Sequence, residues 1–159
     1  MFVRVKNIKG RKYAYLVENE WTPWGSRQRV TKYLGKLVSL ERIGNNEKEL
    51  PNGFRKAVIA AASQELQNHG FIDEKKGKVT VDFERGTIAQ AGKKIVLGMN
   101  EGYLCDHTLA QLLSYTPEEN PSENANKLAN LAVEAGLKLT NEQFTHLFEQ
   151  FGKHLKEIH

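Results

Sequence analysis

Residues 27–37, "RQRVTKYLGKL", decide the first part of the fold because basic and apolar side chains alternate along them up to a glycine. A period of two residues is typical of a half-buried β-strand. The strand is predicted to run from about Arg27 to Leu34 and to stop at Gly35. Strict alternation assigns its side chains to two faces: Arg27, Arg29, Thr31 and Tyr33 to one, and Val30, Lys32 and Leu34 to the other.

Two earlier segments complete an antiparallel meander. "FVRVK" at 2–6 and "KYAYLVENE" at 12–20 alternate in the same way, and the second places Tyr13, Tyr15 and Val17 on one face. Gly10 suits a tight hairpin turn, and "WTPWGS" at 21–26 supplies a second turn. Strands joined by such short turns pair antiparallel, because a parallel pair needs a crossover of about a dozen residues.

The residues after the meander predict a linker followed by a body that contains both helices and strands. Residues 44–53, "GNNEKELPNG", lack periodicity and predict a loop. Residues 54–70 are rich in alanine and predict a helix that ends at Gly70. The segments "KVTVDFE", "TIAQAG" and "KKIVLGM" then predict a small second sheet.

Three helices are predicted after residue 105. Asp106 or Thr108 is expected to cap the first, with Gln111 three residues after Thr108 completing a capping box, and the helix ends before the loop "TPEENPS" at 116–122. Ser122 is expected to cap the second helix and Gly136 to end it. Thr140 and Gln143 predict a capping box for the last helix.

The predicted fold class is therefore α+β: an N-terminal three-stranded antiparallel meander followed by a helix, a small second antiparallel sheet and a C-terminal helical hairpin. It divides into a basic β-module at 1–43, a linker at 44–53 and an α+β body at 54–159.

Composition limits the class of protein. The 159 residues, 40% of them hydrophobic, suffice for a folded core. Apolar runs such as 57–62 are far shorter than the roughly 20 residues of a membrane-spanning helix, and Arg4 and Lys6 stand where a signal peptide would be apolar. We expect a cytoplasmic protein with no membrane partner. Cys105, the one cysteine, excludes an internal disulfide and a multi-cysteine zinc site.

The net charge of +4 is unevenly distributed along the chain. Residues 1–42 contain ten Lys and Arg against three acidic residues, whereas the remaining residues contain 13 against 16. A basic segment on a nearly neutral body is the pattern of a module that binds a polyanion.

The basic meander predicts a non-enzymatic nucleic-acid-binding protein. Guanidinium and ammonium groups neutralise phosphates, and aromatic rings stack on unpaired bases. An alternative is that the same aromatic side chains anchor a protein partner, and another is that the basic residues only keep the sheet soluble. The candidate nucleic-acid contacts are Arg4, Lys6, Arg11, Lys12, Tyr13, Tyr15, Trp21, Trp24, Arg27, Arg29, Lys32 and Tyr33.

Residues 1–40 carry a resemblance to a known family. "MFVRVKNIKGRKYAYLVENEW" followed by "RQRVTKYLGKL" is similar to the N-terminal basic β-module of insertion-sequence transposases, where a Tyr-rich strand leads to an Arg-rich strand ending in "YLG". The resemblance implies a module that contacts nucleic acid, and it does not extend to catalysis, since the chain is too short for the transposase nuclease domain. The rest of the chain resembles short basic archaeal proteins.

Residues 100–107, "NEGYLCDH", are the one stretch that mixes thiol, imidazole and carboxylate groups. Cys105 and His107 lie on the same side of an extended chain and form a candidate nucleophile pair, or a metal site with Glu101. The simpler interpretation is that Cys105 is a small buried apolar residue. We expect no enzyme activity, no metal and no cofactor, since no phosphate-binding loop occurs either.

The last helix carries a continuous apolar stripe. Such a stripe either closes the core of the chain or forms the seam of a homodimer. The residues of the possible dimer contact are Phe144, Leu147, Phe148, Phe151 and Leu155.

Overall fold

The structure of the chain is a computed structural model, which describes residues 1–71, 75–76, 79–115 and 121–158. It confirms the α+β class. The elements are β1 (Phe2–Ile8), β2 (Arg11–Thr22), β3 (Gly25–Ser39), α1 (Phe54–Asn68), β4 (Lys75–Lys76), β5 (Val79–Asp82), β6 (Thr87–Gln90), β7 (Lys93–Met99), β8 (Gly102–Leu104), α2 (Asp106–Leu113), α3 (Pro121–Glu134) and α4 (Asn141–Ile158).

The predicted meander is present. β1 pairs with β2 and β2 pairs with β3, both antiparallel. The first turn has Lys9 and Gly10 at φ values of 53° and 82°, a left-handed conformation that glycine adopts without steric cost.

The prediction that the third strand stops at Gly35 is wrong, because β3 continues to Ser39 and changes partner there. Beyond Gly35 the strand pairs in parallel with β7, from Lys36 opposite Ile95 to Ser39 opposite Gly98. Gly35 has φ 139°, and a Cβ atom on it would lie 2.6 Å from the carbonyl oxygen of Lys94. The glycine is therefore required by the close approach of the two backbones, a contact that we call the β3–β7 joint.

This joint merges the meander and the second group of strands into one sheet of eight strands. Their order is β1-β2-β3-β7-β6-β5-β4, with β8 added beside β7. The pairs β5–β6 and β6–β7 are antiparallel, as the sequence predicts. β4 and β8, which have two and three residues, were not predicted, since strands of that length leave no periodic signal.

Two helices end as predicted. The amide N–H groups of Gly70 and Phe71 donate to the carbonyls of Gln67 and Leu66, which is the Schellman arrangement around a left-handed Gly70. The same pair of hydrogen bonds closes α3 around Gly136.

The helix starts agree with the sequence for α1, which begins at Phe54, and for α4. There the Gln143 N–H donates to the Thr140 hydroxyl at 3.1 Å, which confirms the capping box. α2 already begins at Asp106, so Thr108 lies in its first turn and its hydroxyl accepts the Cys105 N–H instead. α3 begins at Pro121, so Ser122 is not its cap. Of the predicted loop at 116–122, residues 116–120 lie outside the described residues, and the last two belong to α3.

The apolar stripe of α4 closes the core of the chain. Leu147 and Phe151 are buried in the main cluster, and Phe144 and Phe148 pack against it. Leu155 lies outside the residues whose side chains are described. The four described residues of the stripe are thus used within the chain, and their packing gives no support to the alternative of a homodimer seam. A membrane-crossing helix, one both long and apolar enough, does not occur within the described ranges.

A buried carboxylate fixes the segment after β3 to the body. Glu65, on α1, has no exposed surface, and its Oε2 accepts hydrogen bonds from Arg42 Nη1 at 2.8 Å and Asn100 Nδ2 at 2.7 Å. Asn100 also donates to the carbonyl of Gly136 at 2.8 Å. Glu65 therefore ties together the segment after β3, the β7–β8 turn and the end of α3.

We expect Glu65→Gln to lower the free energy of unfolding by about 1 to 2 kcal/mol, because a neutral acceptor replaces the charged partner of Arg42. Urea unfolding followed by circular dichroism measures this change. Glu41→Gln removes the same charge from an exposed side chain and should leave the unfolding midpoint within error of the unmodified chain. Equal midpoints for the two variants would contradict the role given to Glu65.

Candidate nucleic-acid interface

One face of the meander gathers basic and aromatic side chains in two rows across the strands. Residues paired across antiparallel strands share a face. Lys6 on β1, Tyr13 on β2 and Lys36 on β3 form one row. The next row is Arg4, Tyr15 and Tyr33. Arg11 lies two residues before Tyr13 on β2, and its partner Ile8 lies two residues after Lys6 on β1, so Arg11 belongs to the same face. We call this surface the tyrosine face; it comprises Arg4, Lys6, Arg11, Tyr13, Tyr15, Tyr33 and Lys36.

The three phenol rings form one cluster. The Tyr33 ring lies edge-on to Tyr15 with centroids 5.2 Å apart, and its centroid is 6.4 Å from that of Tyr13. Partial burial, and then the neighbouring phenols, raise the pKa of Tyr33, so its hydroxyl stays neutral at physiological pH. Nearly half of the Tyr33 side chain is exposed. The cluster therefore presents a neutral aromatic surface to the solvent.

The charges around these rings are positive. The Lys6 ammonium group lies 5.0 Å from the centre of the Tyr15 ring, within the range of a cation–π contact. No residue of β1, β2 or β3 on this face is acidic. Throughout the described part of the chain, no carboxylate forms an ion pair with Arg4, Lys6, Arg11 or Lys36.

The prediction that Arg27 and Arg29 share a face with Tyr33 is wrong. Two β-bulges interrupt the pairing of β3 with β2, one at Thr31 and one at Leu34. Each bulge adds one unpaired residue to β3 and reverses the alternation beyond it. Arg29 therefore lies opposite Glu18 and Arg27 opposite Glu20, on the face away from Tyr15.

Both arginines are also paired with these acids. Arg27 Nε lies 3.2 Å from a Glu20 carboxylate oxygen, and Arg29 forms the equivalent ion pair with Glu18. The sequence contains no acid between Glu20 and Glu41, but β2 supplies the partners across the hairpin. Such exposed pairs are weak, at about 0 to 1 kcal/mol. The neighbouring carboxylates nevertheless offset the charges of the two arginines, so that a phosphate is attracted less strongly to this face.

Lys12 and Lys32 also lie away from the tyrosine face. Lys12 pairs with Asn7, and Lys32 pairs with Leu16. Lys32 lines a groove on the opposite side of the sheet together with Lys94 and Asp106. Six of the twelve predicted contacts thus belong to the tyrosine face: Arg4, Lys6, Arg11, Tyr13, Tyr15 and Tyr33.

Lys36 is a member of the tyrosine face that sequence reasoning missed. Strict alternation places it opposite to Tyr33, and only the bulge at Leu34 brings it beside Tyr13. The sequence contains a signal of this bulge, because Leu34 and Leu37 are both apolar and lie three residues apart. Strict alternation would place two such residues on opposite faces of the strand. Both pack into the smaller core cluster with Val96.

The two tryptophans occupy the end of a projecting hairpin. The pairing of β1 with β2 ends at Val17, so residues 18–29 pair only with each other. We call this two-stranded segment the arm. Trp21 is 84% exposed and Trp24 is 93% exposed at its tip. The Thr22 hydroxyl donates to the Gly25 carbonyl at 2.7 Å and accepts the Trp24 N–H at 3.3 Å, so the turn is held in one conformation.

Within residues 100–107, Cys105 lies in the core, whereas Asp106 and His107 are half-buried. Cys105 is fully buried beside Thr108, and burial raises the pKa of its thiol. A neutral, enclosed thiol is a poor nucleophile. The pKa of His107 is lowered by burial and by the charge of Lys32. Elsewhere too, the described residues contain no group of three side chains able to hold a metal ion.

Comparisons with protein-family models, with curated proteins and with solved structures found no match to this chain.

Proposed function

We propose that the chain binds single-stranded nucleic acid, DNA or RNA, on the tyrosine face, without catalysing a reaction. The observation that carries this proposal is the arrangement of the phenol cluster between Arg4, Lys6 and Lys36, with no carboxylate on the same face. The resemblance of residues 1–40 to a transposase module implies the same class of partner.

The chemistry of the face suits an unpaired strand better than a duplex. Phenol rings stack on bases only where the bases are unstacked from their neighbours, and each stacked base contributes about 1 to 3 kcal/mol. The four cations of the tyrosine face, Arg4, Lys6, Arg11 and Lys36, form no ion pair with a described carboxylate and are available to the phosphates of the same strand. Neither stacking nor phosphate contacts distinguish one base from another by its hydrogen-bonding edge, so we expect the chain to show only a weak preference for nucleotide sequence.

The salt dependence of binding tests the proposal. Four phosphate contacts on a single strand give a slope of about −2.8 for log K against log salt, which is about 50-fold weaker binding at 200 mM than at 50 mM. Fluorescence anisotropy of a labelled 20-nucleotide strand measures both affinities. Absence of binding at 50 mM salt would refute the proposal.

Two double variants locate the binding surface. Lys6→Ala/Lys36→Ala removes two cations from the tyrosine face and should reduce the slope by about 1.4, with a clear loss of affinity at 50 mM. Arg27→Ala/Arg29→Ala removes the same charge from the opposite face and should change the slope much less. If the arginine variant shows the larger change, the strand binds on the other face.

A further inference from the structure

The arm continues the tyrosine face away from the body of the protein. Trp21 pairs with Ser26 and lies on the same face of β2 as Tyr15. Gln28, on the other strand of the arm, accepts a hydrogen bond from Arg4. This bond connects the arm to the tyrosine face. The path from Tyr15 to Trp21 covers six residues of one strand, about 20 Å at the rise of a β-strand.

The arm itself carries no net charge. Its acids Glu18 and Glu20 are paired with its arginines, on the face away from Trp21. Contacts made by the tip are consequently apolar and aromatic rather than ionic. Two indole rings with most of their surface in water, held on an ordered turn, are costly to the free protein and favour a partner that covers them.

We propose that the tip of the arm, formed by Trp21 and Trp24, stacks on unpaired bases of the strand whose phosphates lie on the tyrosine face. This inference rests on the proposed function and adds a second, uncharged contact region to it. A strand of about six nucleotides at the stacked rise of 3.4 Å spans the distance from Tyr15 to the tip. Indole rings stack on any base, so the arm adds affinity without sequence preference.

Removal of the indole rings separates this contact from the ionic ones. The double variant Trp21→Ala/Trp24→Ala should bind a 20-nucleotide single strand at least about ten-fold more weakly at 50 mM salt, with the salt slope unchanged. Trp21→Tyr/Trp24→Tyr keeps a stacking ring at each position and should recover most of the affinity. Both tryptophans are exposed, so circular dichroism and the thermal midpoint should show that all variants remain folded.

Intrinsic fluorescence gives an independent measurement, because the chain has two tryptophans and both are in the arm. Addition of the unlabelled strand to the unmodified protein should quench this fluorescence along the same curve as the anisotropy.

The outcomes are distinguishable. If the unmodified protein binds the strand and the alanine variant binds equally well, the arm does not contact nucleic acid, while the proposed function stands. A reduced salt slope in the alanine variant would assign the loss to displaced phosphate contacts and also overturn the inference. Absence of binding by the unmodified protein would overturn both proposals.

Discussion

Gly102→Ala should lower the free energy of unfolding by at least about 3 kcal/mol. A Cβ atom at Gly102 would lie 1.9 Å from the carbonyl oxygen of Val133 and 2.5 Å from the amide nitrogen of Gly136. These atoms belong to the Schellman arrangement that closes α3, and backbone atoms cannot turn aside as a flexible side chain does. β8 must therefore move away from the helix, which opens the core between them.

The thermal midpoint measures this effect and should fall by about 6 to 12 °C in a protein of this size. Gly152→Ala is the matched control, because Gly152 has open space around its Cβ position and lies within α4. There the extra methyl group favours the helix by about 1 kcal/mol. A Gly102→Ala variant as stable as the Gly152→Ala variant would show that β8 and α3 are not in close contact.

Gly35→Ala should cost about 3 to 5 kcal/mol, because it meets two penalties at once. The φ of 139° is nearly inaccessible to alanine, and the Cβ atom would lie 2.6 Å from the Lys94 carbonyl. The strain acts on the β3–β7 joint. We therefore expect the amides of 36–39, which pair with β7, to lose protection from hydrogen exchange before those of the main core.

Gly25→Ala separates the two penalties at Gly35. Gly25 also has a positive φ, 119°, but nothing lies within 4 Å of its Cβ position. Its replacement should cost only the backbone strain, about 1 to 3 kcal/mol. The additional loss measured for Gly35→Ala is then the steric cost of the joint, and equal losses would contradict a close approach of the two backbones.

Local patterns predicted all elements of this fold except the short strands β4 and β8, and tertiary contacts decided how the elements join. The alternation of 2–6 and 12–20 identified the first two strands, and Gly70 and Gly136 marked two helix ends, because these signals arise within a few residues. The parallel pairing of β3 with β7 has no such signal, since it joins segments about 60 residues apart along the chain. The sequence alone therefore predicted two sheets where the structure has one.

The composition of the candidate site was predictable, but its geometry was not. Tyr13 and Tyr15 share a face as predicted, because the alternation of β2 is unbroken, and Tyr33 joins them because it pairs with Tyr15 between the two bulges. Arg27 and Arg29 were misplaced because a single extra residue in β3 exchanges the two faces for everything beyond it. The partners of these arginines, Glu18 and Glu20, become evident only once the hairpin register is known.

The β3–β7 joint also determines the order in which the chain is expected to fold. The two hairpins of the meander connect neighbouring residues and form within microseconds, whereas the joint must first close a long loop of chain, at an entropic cost that rises with its length. Parallel pairs of this kind form late and slowly. A nascent chain would thus carry a structured meander, with its cationic surface and its arm already exposed, before the body that supports them has assembled.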